Sequence, residues 1–287
     1  MPRGVSFPHP HHWHHPLRLT LSLRRWEEQL RMVLAACLVG LLSVGFALAA
    51  ERAITYHSSL LAGRPWLGLV LSPLGFAAIA WITLRFFPFA TGSGIPQSIA
   101  ASLSTDGRLR RTLLSIPIAL GKIVLTTLGL LCGASIGREG PTVQVASSLM
   151  YALAGKRKRR RLASSQALIV AGGGAGVAAA FNTPLGGILF AIEEMSHRRA
   201  FQANGTLLTT VIFSGIVSLL FLGNYTYFGR TDLAVGLADG WKVVLATGLV
   251  CGVLGSLYAR ALVALSHHGL PGRAGQLARR HPVGLAA

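Results

Sequence analysis

Acidic residues are scarce in this sequence: 9 Asp and Glu stand against 27 Lys and Arg in 287 residues, and charged residues of every kind make up only 13%. A water-soluble domain devotes about a quarter of its residues to charge. With 52% apolar residues and a mean hydropathy of +0.54, the chain reads instead as a membrane protein. Cysteine is also scarce. Cys37, Cys132 and Cys251 lie far apart, each inside an apolar run, a pattern that implies no disulfide or metal framework and reads as small packing residues. A secretory signal is missing too, since the first long apolar run starts near Met32, follows a basic arm and has no clear cleavage site. That first span is expected to be retained.

Positive charge is abundant, at a net +18, and such an excess suits nucleic acid as well as a membrane surface. Its distribution decides. The basic residues gather between apolar runs, at RLTLSLRR (18–25), RLRR (108–111), KRKRRR (156–161) and HRR (197–199), with more at Arg260, Arg273, Arg279 and Arg280. A nucleic-acid reader concentrates them on one soluble face; here they mark loops retained in the cytoplasm, because translocating Lys and Arg is unfavourable. The opening FPHPHHWHHP reads as a Pro-punctuated tail in preference to a metal trap.

A hydrocarbon core of ~30 Å needs about 20 residues of apolar helix. Candidate spans are 32–50, 67–90, 113–135, 142–154, 166–192, 206–222 and 241–265. The run 142–154 is too short to cross alone, and 166–192 is too long and interrupted by AGGGAG and NTPLGG. These breaks predict half-helices whose ends meet inside the protein, since irregular backbone at membrane depth is tolerated only where protein or a cavity surrounds it. An inside N-terminus puts all the basic clusters on the inner side, and 51–64 and 223–240 outside. The expected organisation is a basic, His/Pro-rich cytoplasmic segment 1–30, an all-α, polytopic transmembrane domain 31–265 and a basic tail 266–287, in an integral, multi-pass protein of the plasma or inner membrane.

GREGP (137–141) places Arg138 and Glu139 between glycines. Pro141 suits the first position of a helix through TVQVASSLMYAL, and the amides at such a start have no intrahelical partner and carry the positive dipole end, which makes an anion site. Glu139 is then a candidate gate and proton carrier, occupying the site when ionised and leaving it when protonated or displaced; the alternative is a Glu that only caps its helix. GSGIP (92–96) repeats the device, Gly92 and Gly94 allowing a sharp turn and Ser93 offering a hydroxyl without charge, unless it is an ordinary interfacial Gly-Pro turn. In FNTPLGGILFAIEEM (181–195), Glu193 and Glu194 point about 100° apart on a helix, so one of them is expected to face a cavity and pass protons to the inner surface. The alternative is a pair of solvated end charges. Lys122 lies inside a span, where it is expected to line the interior and raise the potential for anions, or else to snorkel to the interface. A different class is offered by ALIVAGGGAGVAAA, which matches the Gly-x-Gly-x-x-Ala fingerprint of a dinucleotide-binding oxidoreductase at Gly174, Gly176 and Ala179. Against it, Asn182, Pro184, Gly186 and Gly187 break the crossover helix that fold requires.

GSGIP, GREGPTVQ and AAAFNTPLGGILFAIEE, in this order, resemble the CLC family of chloride channels and proton/chloride exchangers over roughly residues 30–265. The resemblance implies a CLC-type bundle of tilted and re-entrant helices, a homodimer in membrane lipid with one pore per subunit, no cofactor, no metal, no nucleic acid and no enzymatic activity. It implies that Ser93 and Gly94 contact a central chloride, that the backbone around Arg138 and Gly140 binds an outer one, that Glu139 is the gating glutamate and that Glu194 is the internal proton-transfer glutamate marking exchangers. A passive voltage-gated chloride channel is the alternative. Many relatives carry Glu where this chain has Gln97. The chain also stops soon after its seventh apolar run, without the family's second half, its Gly-x-Phe-x-Pro helix start and its inner tyrosine. The chain is thus read as a fragment, a true truncation or one half completed by a separate C-terminal chain, and without a partner half it is expected to transport poorly or not at all.

Overall fold

The computed structural model describes residues 16–154, 164–196, 205–223 and 236–268. The basic runs 156–161 and 197–199, most of the His/Pro-rich opening, most of 223–240 and nearly all of the tail lie outside the described residues. Helices form the architecture, with no strand among the described residues. They are α1 (Pro16–Leu61), α2 (Gly68–Phe86), α3 (Ile95–Leu103), α4 (Gly107–Leu113), α5 (Ile116–Leu131), α6 (Glu139–Ala154), α7 (Ser165–Phe181), α8 (Pro184–Glu193), α9 (Gly205–Leu222) and α10 (Leu237–His268). Five helical stretches, Trp26–Leu61, Pro65–Phe86, Gly107–Leu131, Gly205–Leu222 and Gly240–Ala264, are long and apolar enough to cross a membrane. Helices α6, α7 and α8, of 16, 17 and 10 residues, are about 24, 26 and 15 Å long at 1.5 Å per residue. All three fall short of the ~30 Å hydrocarbon thickness.

Helix α7 is the hub, packed against α1, α3, α6, α8 and α9. Its glycine run is the reason, and here the expectation of a break at AGGGAG fails. Gly172, Gly173, Gly174 and Gly176 are buried inside one continuous helix. A Cβ on Gly172 would lie 2.8 Å from the Ala146 carbonyl oxygen of α6, and one on Gly174 would lie 2.7 Å from the Gly187 carbonyl oxygen of α8. Lipid offers little hydrophobic drive between helices, so close backbone approach and hydroxyl hydrogen bonds hold them together. Ser147 donates to the Ile169 carbonyl at 3.0 Å, Ser214 to Ala175 at 3.1 Å and Ser218 to Ala179 at 2.8 Å. The core around this hub joins Val39, Val143, Met150, Ile169, Val170, Leu207 and Val211.

The same helix removes the oxidoreductase alternative. A dinucleotide fold needs the glycines in a turn between strand and helix; here Gly174, Gly176 and Ala179 all lie buried inside one helix. The chain breaks later, at Asn182, whose φ of 55° is left-handed, and Pro184 then opens α8 in its first turn. Two smaller corrections follow. Pro141 is the third residue of α6, since the helix starts at Glu139. The cysteines are free, and Cys251 is exposed on α10, whereas Cys37 and Cys132 are half-buried.

Candidate functional site

The site is made where two helix starts meet. Gly94, with φ of 106°, precedes α3 and brings that helix start against α6. A side chain there would lie 2.8 Å from the Gly140 carbonyl oxygen and 3.0 Å from the Gln144 Cβ, while a Cβ on Gly140 would collide with the Ser93 hydroxyl. The two glycine motifs, distant in sequence, thus touch backbone to backbone.

Three side chains hold the loop that carries Ser93. Lys122 of α5 is 2% exposed, and its ammonium donates to the carbonyls of Ala90 at 2.7 Å, Thr91 at 3.3 Å and Gly92 at 2.6 Å. It does not snorkel. Its charge is committed to the loop carbonyls, and it lines the same cavity as Ser93 and Glu139. Gln97 uses both ends of its amide: its oxygen accepts from the Gly94 amide at 3.0 Å and its nitrogen donates to the Thr91 carbonyl at 2.7 Å. Gln144, fully buried on α6, donates to the carbonyls of Phe89 at 3.3 Å and Leu113 at 3.0 Å. Lys122 thus gives three loop carbonyls a buried partner, as buried backbone acceptors require.

Glu139 lies between two open cavities. The first, about 490 Å³, is lined by Ser93, Lys122, Glu139 and Gly140 together with Thr126 and Pro141. The second, about 560 Å³, is lined by Glu51, Thr55, Arg138, Glu139 and Leu222 among others. Besides Glu139, only Ile136 and Gly137 line both. A Cβ on Gly137 would strike a carboxylate oxygen of Glu139, so that glycine leaves the room the carboxylate occupies. Glu139 thus borders both spaces.

Of the residues singled out in the sequence, Ser93, Lys122, Glu139 and Gly140 come together around one cavity, Gly94 is buried beneath it, and Arg138 faces the second. Glu193 and Glu194 do not join them. Both are exposed at the end of α8, where the Glu194 amide donates to the Phe190 carbonyl at 3.0 Å, and neither lines either cavity. Sequence reading gave no role to Gln144 or Glu51. Gln144 follows Gly140 by one helical turn on the same face, a spacing that offered a signal; Glu51 reaches the second cavity only through the packing of α1.

Comparison with known proteins supplies the context for this geometry. The family profile described as voltage gated chloride channel matches residues 75–282. An H(+)/Cl(-) exchange transporter ClcA of Citrobacter koseri is 32% identical over 253 residues, 82% of this chain and 52% of its own. Its namesake in Cronobacter sakazakii is 32% identical over 259 residues, 85% of this chain and 54% of its own. The chain therefore spans about half the length of these relatives. Among solved structures, that of a slow cyanobacterial Cl-/H+ antiporter superimposes with a TM-score of 0.70 at 28% identity, over 90% of this chain and 61% of that one.

Proposed function

Because the chain belongs to the voltage-gated chloride channel family, we propose that it serves chloride transport across a membrane in exchange for protons, with Glu139 as the gate. One observation carries the reading: Glu139 borders both cavities, beside a floor formed by two helix starts and the Ser93 hydroxyl. Amides at helix starts attract an anion without the full charge that would hold it too tightly to release. An ionised Glu139 competes for that place; a protonated one yields it. Each turnover therefore couples chloride entry to proton uptake by the same carboxylate. Glu194 takes the proton at the other end, with the N-terminus in the cytoplasm and a homodimer as the assembly. The relatives named as exchange transporters support proton/chloride exchange as the activity.

The test is proton and chloride flux in proteoliposomes holding the chain completed with a relative's second half, since by itself it spans about half the length of those relatives. A chloride gradient is expected to drive protons uphill, Glu139→Gln to abolish proton movement, and Glu194→Gln to abolish it while sparing chloride flux. A passive chloride channel is the second reading, favoured by the exposure of Glu194 and its absence from the lining of both cavities that Glu139 borders. Chloride flux without proton movement selects the channel. Absence of any flux from the completed wild-type chain refutes transport.

A further inference from the structure

Glu194 stands at a change of environment. It and Glu193 are exposed at the end of α8, while the next two residues, Met195 and Ser196, are fully buried. Within α8 the turn is held loosely, because the Phe190 carbonyl receives both the Glu194 amide at 3.0 Å and the Met195 amide at 3.3 Å, a sharing common at helix ends. Two contacts with other helices fix it. The Met195 side chain lies against Gly173 of α7: a Cβ on Gly173 would strike its sulfur, so the glycine leaves the room that the thioether fills. Ser102, in the last turn of α3 and 1% exposed, has its hydroxyl 2.8 Å from the Ile99 carbonyl oxygen and 3.2 Å from that of Met195.

The Met195 carbonyl lies past the end of α8, outside its hydrogen-bond ladder, and Ser102 reaches it across 93 residues of sequence. Helix α3 thus has a contact at each end. Its 9 residues extend about 14 Å at 1.5 Å per residue; its start meets α6 beside Ser93, and its last turn holds the turn that follows Glu194. A carboxylate passes a proton only across hydrogen-bond distance or through one water, and a displacement of about 1 Å can slow a reaction about 100-fold. The place of the Glu194 backbone is therefore a variable that proton transfer would feel and that an anion at the Ser93 end of α3 would not.

We propose that Ser102 and Met195 are positioning residues for Glu194, holding the turn after α8 so that its carboxylate stays on the proton path; the inference rests on the reading of Glu194 as the inner proton acceptor. The experiment measures the ratio of proton to chloride flux in proteoliposomes holding the chain completed with a relative's second half. Ser102→Ala is expected to lower the ratio about fivefold, the worth of one hydrogen bond, with chloride flux within about twofold of wild type. Met195→Ala is expected to lower it at least as far and carries the same readout should Ser102→Ala misfold, whereas Met195→Leu, which keeps the volume, is expected to hold the wild-type ratio. Ser218→Ala is the control for packing alone: it removes a like hydroxyl bond, 2.8 Å to the Ala179 carbonyl, and is expected to leave the ratio unchanged. An undiminished ratio in both alanine variants at Ser102 and Met195, or an equal fall in Ser218→Ala, overturns the positioning role while wild-type exchange stands. A wild type that moves chloride without protons overturns the exchange reading, and the positioning role with it.

Discussion

Replacing Gly94 with alanine tests the meeting of the two helix starts with a single methyl group. Its φ of 106° and ψ of −27° are open to glycine and unfavourable for any L side chain, a strain of about 1–3 kcal/mol. The new Cβ would also stand 2.8 Å from the Gly140 carbonyl oxygen and 3.0 Å from the Gln144 Cβ. Backbone on one side and a fully buried side chain on the other cannot yield, and such overpacking adds about 1–3 kcal/mol. The combined loss of roughly 4 kcal/mol corresponds to about 10 °C in Tm for a domain of this size. The assay is thermal unfolding of the purified chain in detergent, with Gly45→Ala as control. Gly45 lies in helical α1 with nothing within 4 Å of its Cβ position, so the control is expected to match the wild type or exceed it by up to about 1 kcal/mol. A Gly94→Ala protein that melts with the wild type, or a control that falls as far, refutes the close approach of α3 to α6.

Two further substitutions probe the ties on the Ser93 loop. Lys122→Met removes the donor shared by three carbonyls and is expected to cost about 2 kcal/mol; Lys122→Arg should recover only part of it, because a planar fork cannot converge on three oxygens as an ammonium does. A thermal melt unchanged in Lys122→Met would contradict the clamp. Gln97→Leu loses both amide bonds and is expected to cost about 2 kcal/mol, with Gln97→Glu in between, since a carboxylate still accepts from the Gly94 amide but does not donate to the Thr91 carbonyl. Melting of the Glu variant below the Leu variant would reverse that order.

Several elements were legible in the sequence because their causes are local. The apolar runs predicted the five long helices, and Gly-Pro signals marked the starts of α3 and α6 close to their observed positions. The break at NTPLGG was legible as well, since Asn182 and Pro184 are turn and helix-start residues by their own chemistry. The misreading came at AGGGAG. Glycine there weakens a helix in isolation by up to about 1 kcal/mol per residue, yet contacts with α6 and α8, impossible for a larger side chain, hold α7 intact. The same ambiguity produced the false dinucleotide fingerprint.

What the sequence determined by itself was the solvent, the helices and the places where the chain must turn, because hydropathy, proline and left-handed glycine act within a few residues of where they stand. Tertiary structure decided the rest. Lys122 meets Gly92 across 30 residues of sequence, Ser93 reaches Gly140 through the packing of α3 on α6, and Glu139 gains a cavity on either side, while Glu193 and Glu194 are left at the surface. Spacing along one chain fixes which face of a helix a residue shares. Which other face it meets depends on how closely the helices pack, and in this protein the glycines of α7 set that distance.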